Sequence, residues 1–327
     1  MMKKALVFLL LAAFVVPVFA DDALTLPAGV MRTRIIPSMT TINQVFDADG
    51  ERQDNPAGTV QVYNLSFGLE YGVNSWITPG LRWVPGWTFA SSIENVDNAS
   101  RNGLNDLFVG VKLQIVGEGA PVPNSAVRFA VTPGFKIPLS EFTYDAAEEG
   151  QNFADNNTYR DRIDNGTWAV GGQVSFDYII SENFYLNLFN ETVVYLPSNQ
   201  EQFGDHAAAA VIAALGGTPP AVEAVEVKPG TELKFELDAN YTMPVGNGVR
   251  LGFGLPVTYQ MTMETEVDGA GQDNASWVLS VGPSVSAFFT SWALPMEFEL
   301  GYTLPIAGEK AFAANTISLQ VKNFLRF

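Results

Sequence analysis

Polar and apolar residues alternate along this chain in long segments. In "TELKFELDANYTM", Leu233, Phe235, Leu237, Ala239, Tyr241 and Met243 alternate with Glu232, Lys234, Glu236, Asp238, Asn240 and Thr242. The chain closes the same way on "NTISLQVKNFLRF", with Ile317, Leu319, Val321, Leu325 and Phe327 on one face, broken only by Asn323. A period of two describes a strand with one wet face and one apolar face. Twelve such segments can be read, at 29–41, 59–71, 75–84, 104–115, 125–137, 167–180, 184–196, 231–243, 249–263, 275–289, 293–304 and 315–327. Strands of soluble sandwiches run roughly five or six residues. Most of these match the roughly 9–11 residues that a tilted strand needs to cross a bilayer's apolar layer. The expected fold is all-β: a closed antiparallel transmembrane barrel of about twelve strands.

The connections agree. Links after even-numbered segments are short ("GVN", "VGEGAPVPN", "SEN", "PVGNG", "TSW"), whereas those after odd-numbered ones are mostly long, up to Pro197–Gly230. Long outside loops alternating with short periplasmic turns mark an outer-membrane barrel. The six outward loops carry 22 acids and six bases, which accounts for most of the acidity. On the apolar faces, Tyr63, Trp83, Trp168, Tyr259, Trp277 and Tyr302 sit near outer ends, and Tyr71, Tyr178, Tyr241, Phe289 and Phe327 near periplasmic ends. Two aromatic girdles flanking an apolar band fit outer-membrane lipid. Pairing of the last strand with the first leaves no open edge in that lipid.

The first twenty residues, "MMKKALVFLLLAAFVVPVFA", read as a secretory signal peptide: Lys3 and Lys4, a short apolar run, then Val18-Phe19-Ala20 as the cleavage site. The expected division is therefore 1–20 signal peptide and 21–327 barrel, in the outer membrane of a diderm bacterium. Removing Lys3 and Lys4 from a formal charge of −17 leaves −19. Such a charge argues against nucleic acid as a partner. There is no cysteine, hence no disulfide and no lipidated N-terminus.

The C-terminal strand, with Leu319, Val321, Leu325 and a final Phe327, resembles the signal by which barrel-assembly machinery recognises bacterial barrels. Asn323 departs from it. "YNLSFGLEYGVNSWITPGLRW" followed by "GLNDLFVGVKLQI" resembles the outer-membrane proteins of the phenol meta-pathway or hydrophobic-compound transporter type, distant relatives of the long-chain fatty-acid channel. The resemblance is strongest over 59–139. It implies a barrel that passes small apolar solutes. The fatty-acid channels carry a much longer N-terminal plug; only Asp21 to Ala28 precede the first strand here, which puts a plugged mechanism in doubt for this chain.

Chemistry of other kinds finds little support. A hydrolytic triad needs a histidine to take the nucleophile's proton, and the one histidine, His206, lies in the longest loop. One histidine without cysteine also offers no transition-metal set, and no cofactor is expected. "FDADGERQD" gathers Asp47, Asp49, Glu51 and Asp54 around Gly50 like the start of a calcium loop, but lacks the closing glutamate at the twelfth position; a solvated acidic loop is the favoured reading.

The polar faces are more informative. Turned inward, they bring Arg32, Arg34, Arg82, Lys112, Arg128, Lys136, Lys322 and Arg326 to one wall, and Glu191, Glu232, Glu236, Asp238, Glu297 and Glu299 to the facing wall. Glu70, Asp177, Lys234 and Arg250 depart from this separation. The candidate lumen ligands are Arg32, Arg34, Arg82, Lys112, Arg128, Lys136, Glu191, Glu232, Glu236, Asp238, Glu297 and Glu299. Two arrangements compete: charges that pair across a filled interior, or charges that line a wet passage. Prolines form a second feature. "ITPGL" and "VTPGF" repeat one triplet, placing Pro79 and Pro133 on the lipid face and Gly80 and Gly134 inside, and Pro37, Pro256 and Pro283 also fall within strands. Each removes a ladder donor, giving either a bulge or a sideways gap for an apolar ligand. Finally, "FGDHAAAAVIAALGG" reads as a loop helix with Asp205 as N-cap and Gly216-Gly217 as stop; its His206, Val211, Ile212 and Leu215 are candidates for capture of a small apolar solute.

The functional expectation is passive passage of small hydrophobic or amphipathic molecules, without enzymatic activity. The alternatives are a closed structural or surface-interaction barrel and a general porin. Deleting Phe327, or replacing it with a charge, is expected to lower outer-membrane assembly while export persists; fractionation should then find the protein in the periplasm, and unchanged assembly would leave the terminal alternation as packing only.

Overall fold

The computed structural model describes residues 22–56, 58–90, 98–139, 145–156, 158–161, 165–201 and 203–327. The expected signal peptide lies outside them. Twelve staves form the wall: β1 (Val30–Phe46), β2 (Val60–Tyr71), β3 (Ile77–Trp83, continued by Gly86–Ala90), β4 (Asn98–Gly103, continued by Asp106–Val116), β5 (Val127–Pro138), β6 (Ala169–Ser181), β7 (Phe184–Tyr195), β8 (Glu232–Pro244), β9 (Val249–Thr262), β10 (Ser276–Val281, continued by Ser284–Phe289), β11 (Met296–Glu309) and β12 (Ala311–Arg326). Each pairs antiparallel with its sequence neighbour, and β12 pairs with β1 from Val30↔Arg326 to Phe46↔Ala311. The sheet closes on itself.

The alternation becomes an inside-out burial pattern. In β8, Lys234, Glu236 and Asp238 are buried, while Phe235 and Leu237 are 49% and 47% exposed. The exposed apolar face is the surface that meets lipid, where every backbone group must find its partner within the barrel. The girdle residues share register levels: Tyr302 and Met39 both sit opposite Ile317, and Met39 lies opposite Tyr63. At the other rim, Met31 lies between Tyr71 and Leu325.

Several boundaries differ from the sequence reading. The eleventh connection, expected to be a loop over about 305–314, is a tight tip at Lys310 (φ 49°), with β11 and β12 running on to meet it. Pro305 and the low contrast of "AFAA" hide these outer turns, and a register shift beside Leu279/Ser280 puts a bulge there. β3 does not end near residue 84 but is interrupted at Val84-Pro85 and resumes; β4 is interrupted beside it at Leu104-Asn105. The ladder passes through Pro79, opposite Val111, and through Pro133, opposite Gly172, without a shift. Neither triplet is a bulge. Pro283 does mark an interruption, between the two parts of β10.

Outside the membrane, α1 (Ala146–Asn156) and α2 (Phe203–Ala214) pack together. The Asp145 carboxylate caps α1, accepting from the Ala147 and Glu148 amides at 2.9 and 3.1 Å. This helix was not anticipated. α2 begins earlier than expected, so Asp205 lies in its first turn rather than at the cap. Its end is as expected: Gly216 is left-handed (φ 78°) and the Gly217 amide donates to the Ile212 carbonyl at 2.9 Å. Single cysteines at Ala147, Ala208 and Gly269 should react with a membrane-impermeant thiol reagent on intact cells, and one at Asn247, in a short turn of the opposite end, should not; labelling of Asn247 alone would invert the barrel.

A divided lumen as the candidate functional site

The two "TPG" triplets have a structural meaning that neither local reading anticipated. Register places Gly80 opposite Gly110, Gly110 opposite Gly134, and Gly134 opposite Gly171. Four staves thus present a row of inward positions without side chains. The Phe108 ring lies flat in that space: a Cβ on Gly134 would stand 2.5 Å from its Cζ, and one on Gly110 3.0 Å from its Cε1. The Arg82 guanidinium sits over the same ring, 5.3 Å from its centroid, and reaches the Glu191 carboxylate at 3.0 Å. Arg82 is on β3 and Glu191 on β7. Four strand spacings along the wall amount to roughly 19 Å, so this contact is a chord across the lumen. Gln173 also donates to Glu191.

A second chord joins Lys136 of β5 to Glu232 of β8 at 2.9 Å, with the Tyr195 hydroxyl between them, accepting from Lys136 and donating to Glu232 at 2.9 Å each. The remaining pairs lie between adjacent staves or within one. Arg32 and Arg34 share Glu70 at 2.6 and 3.0 Å, Arg128 meets Asp177 at 3.3 Å, Lys234 meets Glu236 at 3.0 Å, and Lys322 lies 3.1 and 3.4 Å from Glu297 and Glu299. Asp238 accepts from Asn240 and from the Leu255 amide at 2.8 and 3.0 Å. The candidate lumen residues face inward. The separation into two walls is not how they work, because the apparent exceptions Glu70, Asp177 and Lys234 are local partners. Arg326, at the periplasmic end, is exposed.

The periplasmic half holds a segment of the chain itself. Residues 22–28 enter the lumen, then reverse into β1 through a turn in which the Val30 amide donates to the Pro27 carbonyl at 3.0 Å and Gly29 has φ 75°. Pro-Ala-Gly suits the left-handed third position of a type II turn. The Ala23 amide donates to both Asp177 oxygens at 3.2 Å, Thr25 Oγ1 to Gln114 at 2.7 Å, the Leu26 amide to Thr78 at 3.0 Å, and Lys112 to the Asp22 carbonyl at 2.8 Å. Ala23, Thr25 and Leu26 are buried. Short as it is, this segment occupies the periplasmic half of the lumen.

At the outer mouth apolar residues join the inward positions: Ile42, Val60 and Val62 are buried, and Phe46, Val278, Ala311 and Ala313 form one cluster. Between this mouth and the floor made by the N-terminal segment lies a cavity of about 70 Å³, room for several waters. In the outer loops, Asp47 uses its carboxylate on its own turn, accepting from the Asp49 and Glu51 amides at 2.9 Å. His206 pairs with Glu201 at 2.7 Å and packs on Gly150. Val211 and Ile212 on α2 are exposed, as is Leu215 just beyond its end, by 83%.

A closed twelve-stranded antiparallel barrel with an apolar outside, a polar lumen and aromatic rims is an outer-membrane β-barrel. The chain belongs to the family described as "Putative MetA-pathway of phenol degradation", whose profile matches residues 57–321. In fold it is similar to an outer-membrane channel from Pseudomonas putida F1, with a TM-score of 0.66, 16% identity, and coverage of 94% of this chain and 100% of that one. More distant likenesses include a mutant of the TodX monoaromatic hydrocarbon channel (TM-score 0.42, 10% identity, 94% and 93% covered) and the β domain of the Bordetella autotransporter BrkA (0.44, 9%, 91% and 99%). No curated protein sequence matches the chain.

Replacing Gly134 with valine puts a side chain where the Phe108 ring lies. The refolded barrel is expected to lose about 1–3 kcal/mol to overpacking, measured by urea unfolding in lipid vesicles against wild type; an unchanged midpoint would remove the steric role of the glycine row.

Proposed function

We propose that this barrel gives passive passage to small hydrophobic or amphipathic molecules across the outer membrane and catalyses no reaction. The observation that carries the reading is the divided lumen. Two chords, Arg82–Glu191 and Lys136–Glu232, cross it, and residues 22–28 occupy its periplasmic half. A wide water-filled pore of the general-porin kind does not fit this interior. An apolar mouth above a small cavity suits a solute that partitions from outside and moves by local displacement of side chains. Family membership and the channel named among similar folds support the same direction. The remaining steps belong to the same reading: a leader over 1–20 removed on export, assembly directed by Leu325 and Phe327, surrounding lipid at the exposed apolar face, and no nucleic-acid partner.

Capture at the surface is assigned to α2. Val211, Ile212 and Leu215 form an apolar patch on an acidic exterior, and such patches on exposed elements bind something or fold over something. His206, paired with Glu201, holds the helix in place rather than touching a ligand. The experiment is uptake of radiolabelled toluene and octanoate into vesicles, with planar-bilayer conductance in parallel. Removing residues 202–218 should slow uptake severalfold while heat-modifiable migration shows a folded barrel. Equal uptake by both forms would remove the capture role, a large steady conductance would favour a porin, and absence of both uptake and conductance would favour a closed structural barrel.

A further inference from the structure

The lumen is packed unevenly. Against β3–β7 the inward side chains Thr78, Lys112, Gln114, Thr132, Gln173 and Asn187 are buried, and residues 22–28 are held there by Asp177, Gln114 and Thr78. On β9–β12 a row of inward residues stays half-exposed: Gly254, Ser284, Gly301 and Ser318. Register sets them side by side, Gly254 opposite Ser284, Ser284 opposite Gly301, and Gly301 opposite Ser318. No side chain in the row is larger than that of serine, so this wall leaves space in front of it. The oxygens that border the space can all accept hydrogen bonds. A Cβ on Gly254 would stand 2.6 Å from Ser284 Oγ and 3.7 Å from both Asp238 Oδ1 and Asn240 Oδ1.

The charges beside the row do not balance. Asp238 is buried and held by neutral donors alone, Asn240 and the Leu255 amide. The charged groups that act on it most are themselves carboxylates, Glu236 and Glu299. Glu236 meets Lys234, and Glu299 shares Lys322 with Glu297, so these four carboxylates have two cations among them. Arg250 and Arg326 stand exposed at the periplasmic end. Two further oxygens lack any donor: Oε1 of Glu236 on β8 and Oε1 of Gln320 on β12, in residues only 2% and 7% exposed. Buried acceptors in that state carry a desolvation cost that a ligand's donor would remove.

We infer that this row is a subsite for the ammonium group of a small amphipathic amine, with Asp238 as its counter-charge and Ser284 and Asn240 as neutral acceptors. The inference rests on the passive-passage reading and narrows its solutes. An ammonium brings three donors and no acceptor, which suits a border of acceptors around one carboxylate that has no cation. Its bonds to that carboxylate are charge-assisted and gain strength away from bulk water. A metal ion fits less well, since among the described residues no three acidic or histidine side chains converge to hold one.

The test is equilibrium dialysis at pH 7 of radiolabelled 2-phenylethylamine, 2-phenylethanol and 3-phenylpropionate against the full barrel in nanodiscs, with empty nanodiscs subtracted. Entry of the same probes into vesicles that hold the barrel is followed in parallel. The variants are Asp238→Asn, which removes the charge at constant size, and Glu299→Gln, which removes a neighbouring charge while Lys322 keeps Glu297; heat-modifiable migration checks that each is folded. The amine should bind wild type more tightly than the alcohol or the acid. Its binding should weaken about tenfold in Asp238→Asn, the size expected for loss of a charge-assisted hydrogen bond, and by a smaller factor in Glu299→Gln. Equal binding of amine and alcohol by wild type, acid binding as tight as amine, or amine binding unchanged in the folded variants overturns the ammonium subsite. If the alcohol still enters vesicles in that case, passage of neutral solutes stands. Failure of all three probes to bind and to enter overturns the subsite together with the passive-passage reading.

Discussion

Backbone hydrogen bonds in hydrocarbon have no water to fall back on, and everything else in this protein follows from meeting that demand with strands. An edge strand would leave a row of unpaired amides and carbonyls, each costing several kcal/mol in lipid. The chain avoids this by bringing its last stave against its first: Arg34 faces Lys322, Ser38 faces Ser318, and the Phe327 amide donates to the Gly29 carbonyl at 2.9 Å. Closure then forces the alternation. Once the wall is a ring, each odd or even position has a fixed destination, lipid or lumen, and a polar residue on the wrong face has nowhere to go. The fifteen or so ionisable groups that would be intolerable in lipid are thereby gathered into a confined interior.

That confinement explains why the lumen is divided. Charges drawn out of water need partners close by, and in a ring of twelve staves most of them find one on the adjacent stave. Arg32, Arg34 and Glu70 do so, as do Arg128 and Asp177. Arg82 and Lys136 instead reach across, and what frees Arg82 to do so is the Phe108 ring on which it rests. The ring in turn needs the glycine row. Gly80, Gly110, Gly134 and Gly171 come from four separate stretches of sequence, and only the common register makes them one surface. The lumen is thus not a pore later narrowed by side chains but a packed interior with a defined remaining space.

The features visible in the sequence are those set by period two. Twelve staves, their order, the inward set of charged residues and the two aromatic rims all follow from alternation and loop length, which are local quantities. Features set by pairing between staves were hidden. Glu70 and Asp177 look like exceptions on the wrong wall until β2 is placed beside β1 and β6 beside β5. The interruptions at Val84-Pro85 and Leu104-Asn105 do not show because each half still alternates. The triplets containing Pro79 and Pro133 draw attention to proline, whereas the consequence lies with the glycine that follows. Contrast also matters: "AFAA" before Asn315 has no polar partner residues to reveal a strand, so the tall β11–β12 turn reads as a loop. The helix over Ala146–Asn156 does leave a signal, Asp145 before an alanine-containing, acid-rich run, but not one of period two.

The N-terminal segment shows how little sequence a lumenal obstruction requires. Residues 22–28 form no strand or helix. They are held instead by the barrel's inward side chains: Asp177 on the Ala23 amide, Gln114 on Thr25, Thr78 on the Leu26 amide. Buried backbone donors that would be orphaned in a strand-free segment are satisfied by polar groups that closure had already gathered there. The Pro27–Val30 turn sets the direction, and Gly72 permits it, since a Cβ there would stand 2.1 Å from the Pro27 carbonyl oxygen. The same pool of inward polar groups therefore neutralises the wall's charges, holds the floor, and leaves a small cavity above it.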